Sequence, residues 1–235
     1  MDNTTPTRRV ERIRYEVKRR ELTVVRTQRV GAHFVSVTFA GPDLADFQTG
    51  SFDDHIKVFV PLPGGEPAMR DYTPLRFDRT ACELTLEFVL HGDGPAGTWV
   101  AGLQTGDRAT IGGPRGSMVV PSDYPWVLMV GDATALPAIT RRLAELPAGV
   151  AVEVLVQVAD EADQRPLPSA AHTRVRWFTD TEGLLAAVAA WYPPAGDGFV
   201  WGGLEARAAA VVQDLVVTQK GHPKEATRVS AYWKR

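Results

Sequence analysis

Four short stretches carry residue types that could do chemistry. The densest is Met69–Arg76 (MRDYTPLR), which sets Arg70, Tyr72, Thr73 and Arg76 close together. Alternate residues of a strand share one face, so a guanidinium, a phenol ring and a neighbouring hydroxyl can converge on one ligand. The ring would cover a flat aromatic system, the hydroxyl would bond its polar edge, and arginine forks suit phosphate. An isoalloxazine ring with a pyrophosphate tail asks for that set. The other reading of the stretch is a surface strand with an Arg–Asp pair.

The second stretch is His91–Trp99 (HGDGPAGTW), with His91, Gly92, Gly94, Pro95, Ala96 and Thr98. Glycine lets the backbone approach a phosphate, and a helix start presents free N–H groups. Thr98 reads as the cap of a helix beginning there. The alternative is a plain Gly-Pro loop between a strand and a short helix. The third and fourth stretches are Gly131–Ile139 (GDATALPAI) and Trp201–Glu205 (WGGLE), each read as a strand, then glycine, then a helix. Neither is the dinucleotide fingerprint G-x-G-x-x-G or a P-loop. Both still place glycine at the carboxyl end of a strand, where the nicotinamide half of a dinucleotide lies in parallel sheets.

Other chemistries find little support. The five histidines form no H-x-x-x-H pair, and Asp53-Asp54-His55 reads as a solvated turn with a strand-edge histidine rather than a ligand trio. No G-x-S-x-G elbow occurs. Cys82 is the single cysteine, which excludes an internal disulfide; it reads as a small strand residue. With no signal-like stretch, the cytoplasm is the expected compartment. Net charge is −2, with no general pull toward nucleic acid or membrane. Residues 1–30 hold nine Lys and Arg against four Asp and Glu, and read as the solvated flank of a strand. The longest apolar run, Leu184–Tyr192, is far too short to span a bilayer.

These stretches need two kinds of scaffold. Before residue 120 the pattern alternates with period two, in Leu22–Val30, Ala32–Ala40, Ile56–Val60 and Leu84–Leu90. That implies antiparallel strands with one buried and one wetter face, hence a barrel or sandwich. After Pro121 the pattern changes. Trp126–Val130, Val150–Val158, Arg174–Phe178, Phe199–Trp201 and Arg228–Trp233 read as strands. Helical spacing appears in Leu136–Leu146, Glu182–Trp191 and Leu204–Gln219. Alternating strands and helices imply a parallel sheet with helices on its faces. The boundary falls at Pro121–Pro125, giving domains 1–121 and 122–235. The tail Tyr232-Trp233-Lys234-Arg235 is either a frayed edge strand or a flap near a ligand.

Together the pieces resemble the siderophore-interacting protein family, flavin-dependent ferric-siderophore reductases within the ferredoxin–NADP reductase-like superfamily. The marks are D-x-H-x-K (Asp53, His55, Lys57), R-x-Y-T (Arg70, Tyr72, Thr73), HGDGPAGTW, GGPRGS (Gly112–Ser117), GDATALPAI, WGG-x-E and the terminal YWKR. The resemblance implies an FAD-binding β-barrel followed by an α/β domain for NADPH or NADH. It implies that His55 and Lys57 lie near the flavin ring, and that the Arg70, Tyr72, Thr73 and His91–Thr98 positions hold the flavin. Asp132, Thr134, Ala135, Trp201, Gly202, Gly203 and Glu205 then belong to the reductant side. The family commonly carries R-x-Y-T-x-R, whereas here Leu75 takes the last position and Arg76 comes one later. Either a bulge restores the arginine to its face, or one contact is missing.

The implied activity is electron transfer from NAD(P)H through FAD to a ferric siderophore. The reaction needs no protein general base, and no metal ligand is assigned. Lys57, Arg115, Lys220, Lys224, Arg228, Lys234 and Arg235 are candidates to attract an anionic iron complex, with Lys57, Lys234 and Arg235 preferred. Arg141, Arg142 or Arg165 would meet a 2′-phosphate. Ferredoxin is an alternative donor, and a monomer is expected. The rival readings are a general flavin or electron-transfer reductase with another acceptor, a non-catalytic flavin- or siderophore-binding protein, and a β-barrel nucleic-acid binder.

Overall fold

The computed structural model describes residues 10–90 and 94–234. The first half contains β1 (Glu11–Arg14), β2 (Arg19–Val30), β3 (Phe34–Ala40), β4 (Ile56–Val60), β5 (Ala68–Tyr72), β6 (Pro74–Asp78) and β7 (Glu83–Val89). Helix α1 (Pro95–Gly102), β8 (Arg108–Gly112) and β9 (Gly116–Val119) complete it. Seven strands form one antiparallel sheet in the order β5-β4-β8-β2-β3-β7-β6, while β1 pairs separately with β9. The edge strands β5 and β6 are consecutive in the chain, with only Thr73 between them. The sheet therefore curls until its two edges meet, a half-barrel closed by one residue. Its inner face is the alternation seen in the sequence: Val35, Val37 and Phe39 of β3 meet Leu84, Leu86 and Phe88 of β7 in one apolar core.

The other face of β3 is not wet. Phe34 is buried, and the hydroxyls of Thr38 and Thr85 hydrogen-bond each other at 3.0 Å. Phe34 belongs to the apolar cluster of the second half, which covers it.

The second half contains β10 (Trp126–Gly131), α2 (Leu136–Glu145), β11 (Ala151–Gln157), β12 (His172–Phe178), α3 (Thr181–Ala190), β13 (Gly198–Glu205), α4 (Ala206–Gln213) and β14 (Thr227–Trp233). The five strands are parallel, in the order β12-β11-β10-β13-β14. The order reverses between β10 and β13, which opens a crevice at their carboxyl ends. Every residue of β10 is buried, as expected of a strand covered on both faces. On one face Leu136, Ile139 and Leu143 of α2 join Phe34, Phe52 and Val120 of the barrel half in a single cluster. On the other face α3 and α4 supply Leu184, Val188, Ala208 and Val212. The two halves thus share a core.

Several elements differ from their sequence reading. β13 runs on through Gly202, Gly203, Leu204 and Glu205, so the two glycines lie inside a strand rather than in a turn. A Cβ on Gly203 would sit 3.1 Å from the Tyr232 ring, so glycine is what lets β14 close against β13 here. The helix expected from Leu204 consequently starts at Ala206, and it ends in a turn of π-helix over Asp214–Gln219. Cys82 is not a strand residue; it lies in the turn before β7 with φ of 50°. Asp53 and Asp54 are buried, not solvated, because Ser51, Thr49 and Ser117 hydrogen-bond their carboxylates. The tail is not frayed: β14 pairs with β13 over Thr227–Trp233. Among the described residues no helix is long and apolar enough to cross a membrane, and no group of His, Cys, Asp or Glu could hold a metal ion.

Candidate functional site

The flavin-like motif sits where the curled sheet closes. Tyr72 ends β5, and its ring packs on Phe88 with centroids 4.3 Å apart. Burial pushes its phenol up to about 12, against a weaker lowering by Arg70, so the ring stays neutral. Thr73 is buried, whereas Arg70 and Arg76 are exposed. Among the described residues neither arginine joins an ion pair; Arg70 donates only to the carbonyl of Met69, at 3.0 Å. The alternative of an Arg70–Asp71 pair fails, because Asp71 binds Lys57 at 2.7 Å instead.

Leu75 is absorbed by a bulge. Pro74 pairs with Leu86 and Arg76 with Thr85, with a register shift between them. The extra residue moves Arg76 into the register a regular strand would give to residue 75, on the face opposite Pro74. The guanidinium expected two residues after Thr73 is restored by backbone geometry.

Of the second stretch, His91 and Gly92 lie outside the described residues. Gly94 is the residue before α1, and among the described residues no side chain caps that helix; Pro95 and Ala96 open it. Thr98 is not a cap: it lies inside α1, and its Oγ1 donates back to the Gly94 carbonyl at 3.4 Å. Among the described residues no side chain takes the amides at the start of α1, which leaves them for an anion such as an FAD pyrophosphate. A flat neutral ring, two guanidiniums outside any ion pair and an uncapped helix start are a donor set that fits FAD. His55 is exposed and begins the approach to β4, on which Lys57 projects.

Of the reductant-side residues, Asp132, Thr134 and Glu205 line a cleft of about 460 Å³ at the carboxyl ends of the parallel strands, and Ala135, Trp201, Gly202 and Gly203 do not. Its walls include Val89 of the barrel, Asp132, Ala133 and Thr134 after β10, Leu204 and Glu205 at the end of β13, and Trp233. Ala135 is buried just behind, where a Cβ on Gly131 would come within 2.6 Å of it. Asp132 organises the floor. Its Oδ1 accepts from the Thr134 amide (2.9 Å) and hydroxyl (2.5 Å), and its Oδ2 from the Glu205 amide (2.9 Å) and the Trp233 indole (2.8 Å).

A buried polar seam runs beneath both sites. Asp53 accepts from Ser51 Oγ (2.8 Å), Trp201 Nε1 (3.0 Å) and Arg228 Nε (3.1 Å). Tyr232 packs edge-on against Trp201, ring centroids 6.0 Å apart, and lies beside Thr73; burial, with the nearby Asp53 charge, raises its phenol far above the ordinary range. Trp201 therefore lies under the cleft and does not line it. Arg228, read as a surface cation for the substrate, is instead committed to Asp53. Arg141 is engaged by Thr49, Pro74 and Glu145, Arg142 by the carbonyls of Val120 and Pro121, and Arg165 by Glu87, so none of the three lines the cleft. Lys234 is exposed at the end of β14, and Arg235 lies outside the described residues. Sequence reasoning offered the tail Tyr232–Arg235 as a flap near a ligand without naming Tyr232 or Trp233 as site residues, and it missed Arg228 as part of the seam; the aromatic pair beside cations at the terminus was the available signal.

Comparison with known proteins gives the same outline. The family described as "Siderophore-interacting FAD-binding domain" matches residues 23–68 and 63–118, and "Siderophore-interacting protein" matches 124–235. A protein of Escherichia coli K12 named NADPH-dependent ferric-chelate reductase is 35% identical over 98% of both chains. The chain belongs to the siderophore-interacting protein family. A second family relative, the ferric vibriobactin reductase of Vibrio cholerae, is 31% identical over 68% of this chain and 66% of its own. The siderophore utilization protein from T. fusca superimposes with a TM-score of 0.89 at 33% identity, covering 96% of this chain and 97% of that one. Family membership makes FAD the cofactor of the barrel site and agrees with the half-barrel and parallel-sheet architecture.

Proposed function

We propose that this protein passes electrons from NADPH through FAD to the iron of a ferric siderophore, which is released as Fe(II). The observation that carries the reading is the dipeptide Tyr232-Trp233. Tyr232 lies beside Thr73 of the flavin motif, and Trp233 donates its indole N–H to Asp132 of the cleft. Adjacent residues of one strand thus hold the two sites edge to edge, as transfer between two cofactors requires.

When bound, FAD would take two electrons as hydride and return them singly, matching a two-electron donor to a one-electron acceptor. The chain's residues do the rest. Arg70, Arg76 and the amides of α1 hold the phosphates. Tyr72 covers the ring. Thr73, beside Tyr232, presents its backbone and hydroxyl at the ring edge. Asp132, saturated by four donors, orients Trp233 as a wall of the cleft. Hard Fe(III) suits oxygen ligands, and Fe(II) binds them more weakly, so reduction frees the metal.

The named activities of the Escherichia coli and Vibrio cholerae relatives support iron-chelate reduction. We place the protein in the cytoplasm, where the nicotinamide reductant is made, as a monomer that takes electrons from NADPH directly; ferredoxin is the alternative donor. Lys57, Lys234 and Arg235 are the cations we assign to an anionic chelate.

The visible spectrum of the purified protein tests the reading. A two-band flavin spectrum should bleach with anaerobic NADPH and recover on adding a ferric siderophore. A protein that takes up no FAD, or whose flavin stays oxidised with NADPH, would overturn it.

A further inference from the structure

Resting on that reading of the cleft, we propose that Arg207 holds a phosphate of the nicotinamide dinucleotide, in place of the helix N-terminus that parallel sheets ordinarily use.

In such sheets the pyrophosphate rests on free amides at the start of a helix. Here those amides are already taken. Asp132 accepts from Thr134 N (2.9 Å), Asp160 from Ala162 N (2.8 Å), Asp180 from Gly183 N (2.7 Å), and Glu205 from Arg207 N (2.8 Å) and Ala208 N (3.4 Å). Helix α2 starts only after the turn that Asp132 caps, and its first residues Leu136, Pro137 and Ala138 are buried. The carboxyl edge of the sheet thus spends its amides on its own carboxylates and carries four negative charges. That contrasts with α1, whose start no side chain caps among the described residues.

An anionic ligand must then find a cation. Among the described residues, the charged ones lining the cleft are Asp132, Glu205 and Arg207. Arg207 is exposed, and among the described residues no carboxylate pairs with its guanidinium. It stands on the first turn of α4, four residues before Val211, so the two share a face of that helix. Val211 and Leu185 give the same cleft an apolar wall, suited to a purine, and Val211 is 43% exposed. A guanidinium beside an apolar shelf matches the phosphate-bearing adenosine half. The nicotinamide is left to the floor.

The test is calorimetric binding of NADP⁺ and NAD⁺ to the FAD-loaded protein and to Arg207→Gln and Arg207→Lys. Arg207→Gln should weaken NADP⁺ binding at least about tenfold, with flavin content and melting temperature unchanged, and Arg207→Lys should recover part of the loss. If NAD⁺ binding is untouched, the group held is the 2′-phosphate; if both ligands weaken alike, it is the pyrophosphate. Arg207→Gln that binds both as the wild type does would overturn the proposal. A wild-type protein that binds neither would overturn the nicotinamide reading itself, and this proposal with it.

Discussion

The indole Nε1 of Trp201 donates to Oδ2 of Asp53 at 3.0 Å, across 148 residues and across the seam between the half-barrel and the parallel sheet. Arg228 reaches the same carboxylate oxygen at 3.1 Å. Removing one member of a buried pair strands the other, which costs about 3–5 kcal/mol. Asp53→Ala should therefore lower the urea midpoint strongly and Asp53→Asn less, since the amide oxygen can still accept from the indole. A midpoint unchanged in Asp53→Ala would show that the seam contributes nothing to holding the halves together.

Arg70 is exposed and makes no ion pair among the described residues, so its loss should leave stability within about 0.5 kcal/mol. Arg70→Ala should nonetheless weaken FAD binding by about tenfold. Tyr72→Phe should retain FAD better than Tyr72→Ala, because the ring face and the packing on Phe88 survive. Flavin titration by fluorescence quenching reads all three; equal affinities throughout would remove this motif from the flavin site.

The bulge at Leu75 can be removed without moving the arginine beyond it. Deleting Leu75 should leave Arg76 on the same face with a regular ladder, so FAD affinity should stay within about threefold of wild type, a difference under 0.7 kcal/mol. Arg76→Ala should lose affinity where the deletion does not. If the deletion is as damaging as Arg76→Ala, the bulge itself has a role that register alone does not explain.

His222 is buried against Trp126 and hydrogen-bonded to the Ala226 carbonyl. Burial holds its imidazole below the usual 6.5, with the Ala226 carbonyl, Asp197 and Glu225 opposing. The folded state thus prefers the neutral ring, while the unfolded chain takes up a proton near pH 6.5. Stability is whole above that pH and falls as pH drops below it, by at most about 1.4 kcal/mol per unit. Urea midpoints from pH 7.5 to 5.5 should show the fall in wild type and a shallower one in His222→Gln. The opposite slope would mean that the imidazole is stabilised as the cation.

Lys57 is neutralised by Asp71 at the surface, a pair worth about 0–1 kcal/mol. Asp71→Asn should raise kcat/KM for an anionic ferric catecholate a few-fold and leave a neutral ferric hydroxamate unchanged, while Lys57→Ala slows the anionic chelate alone. Equal responses of both chelates would take Lys57 out of substrate attraction.

The fold was legible where one local rule decides. Alternation in Ala32–Ala40 and Leu84–Leu90 marks strands because burying one face demands period two. The unbroken apolar run Trp126–Val130 marks a strand covered on both sides. The candidate flavin motif and the glycine that ends β10 could be singled out because each places its chemistry within a few neighbouring residues. What stayed hidden depends on partners far along the chain. That Leu75 bulges is settled by the pairing of Pro74 with Leu86 and Arg76 with Thr85. That Gly202 and Gly203 are strand rather than turn is settled by β10 on one side and β14 on the other. Whether a given arginine is free is settled the same way. Arg141, Arg142, Arg165 and Arg228 look alike in sequence to Arg207, and only packing commits the first four to carbonyls and carboxylates. The residue types and their local periodicity determined two scaffolds and the kind of ligand each suits. Tertiary structure decided which cations remain to meet that ligand, because a charge is spent by whatever group the fold brings within about 3 Å of it.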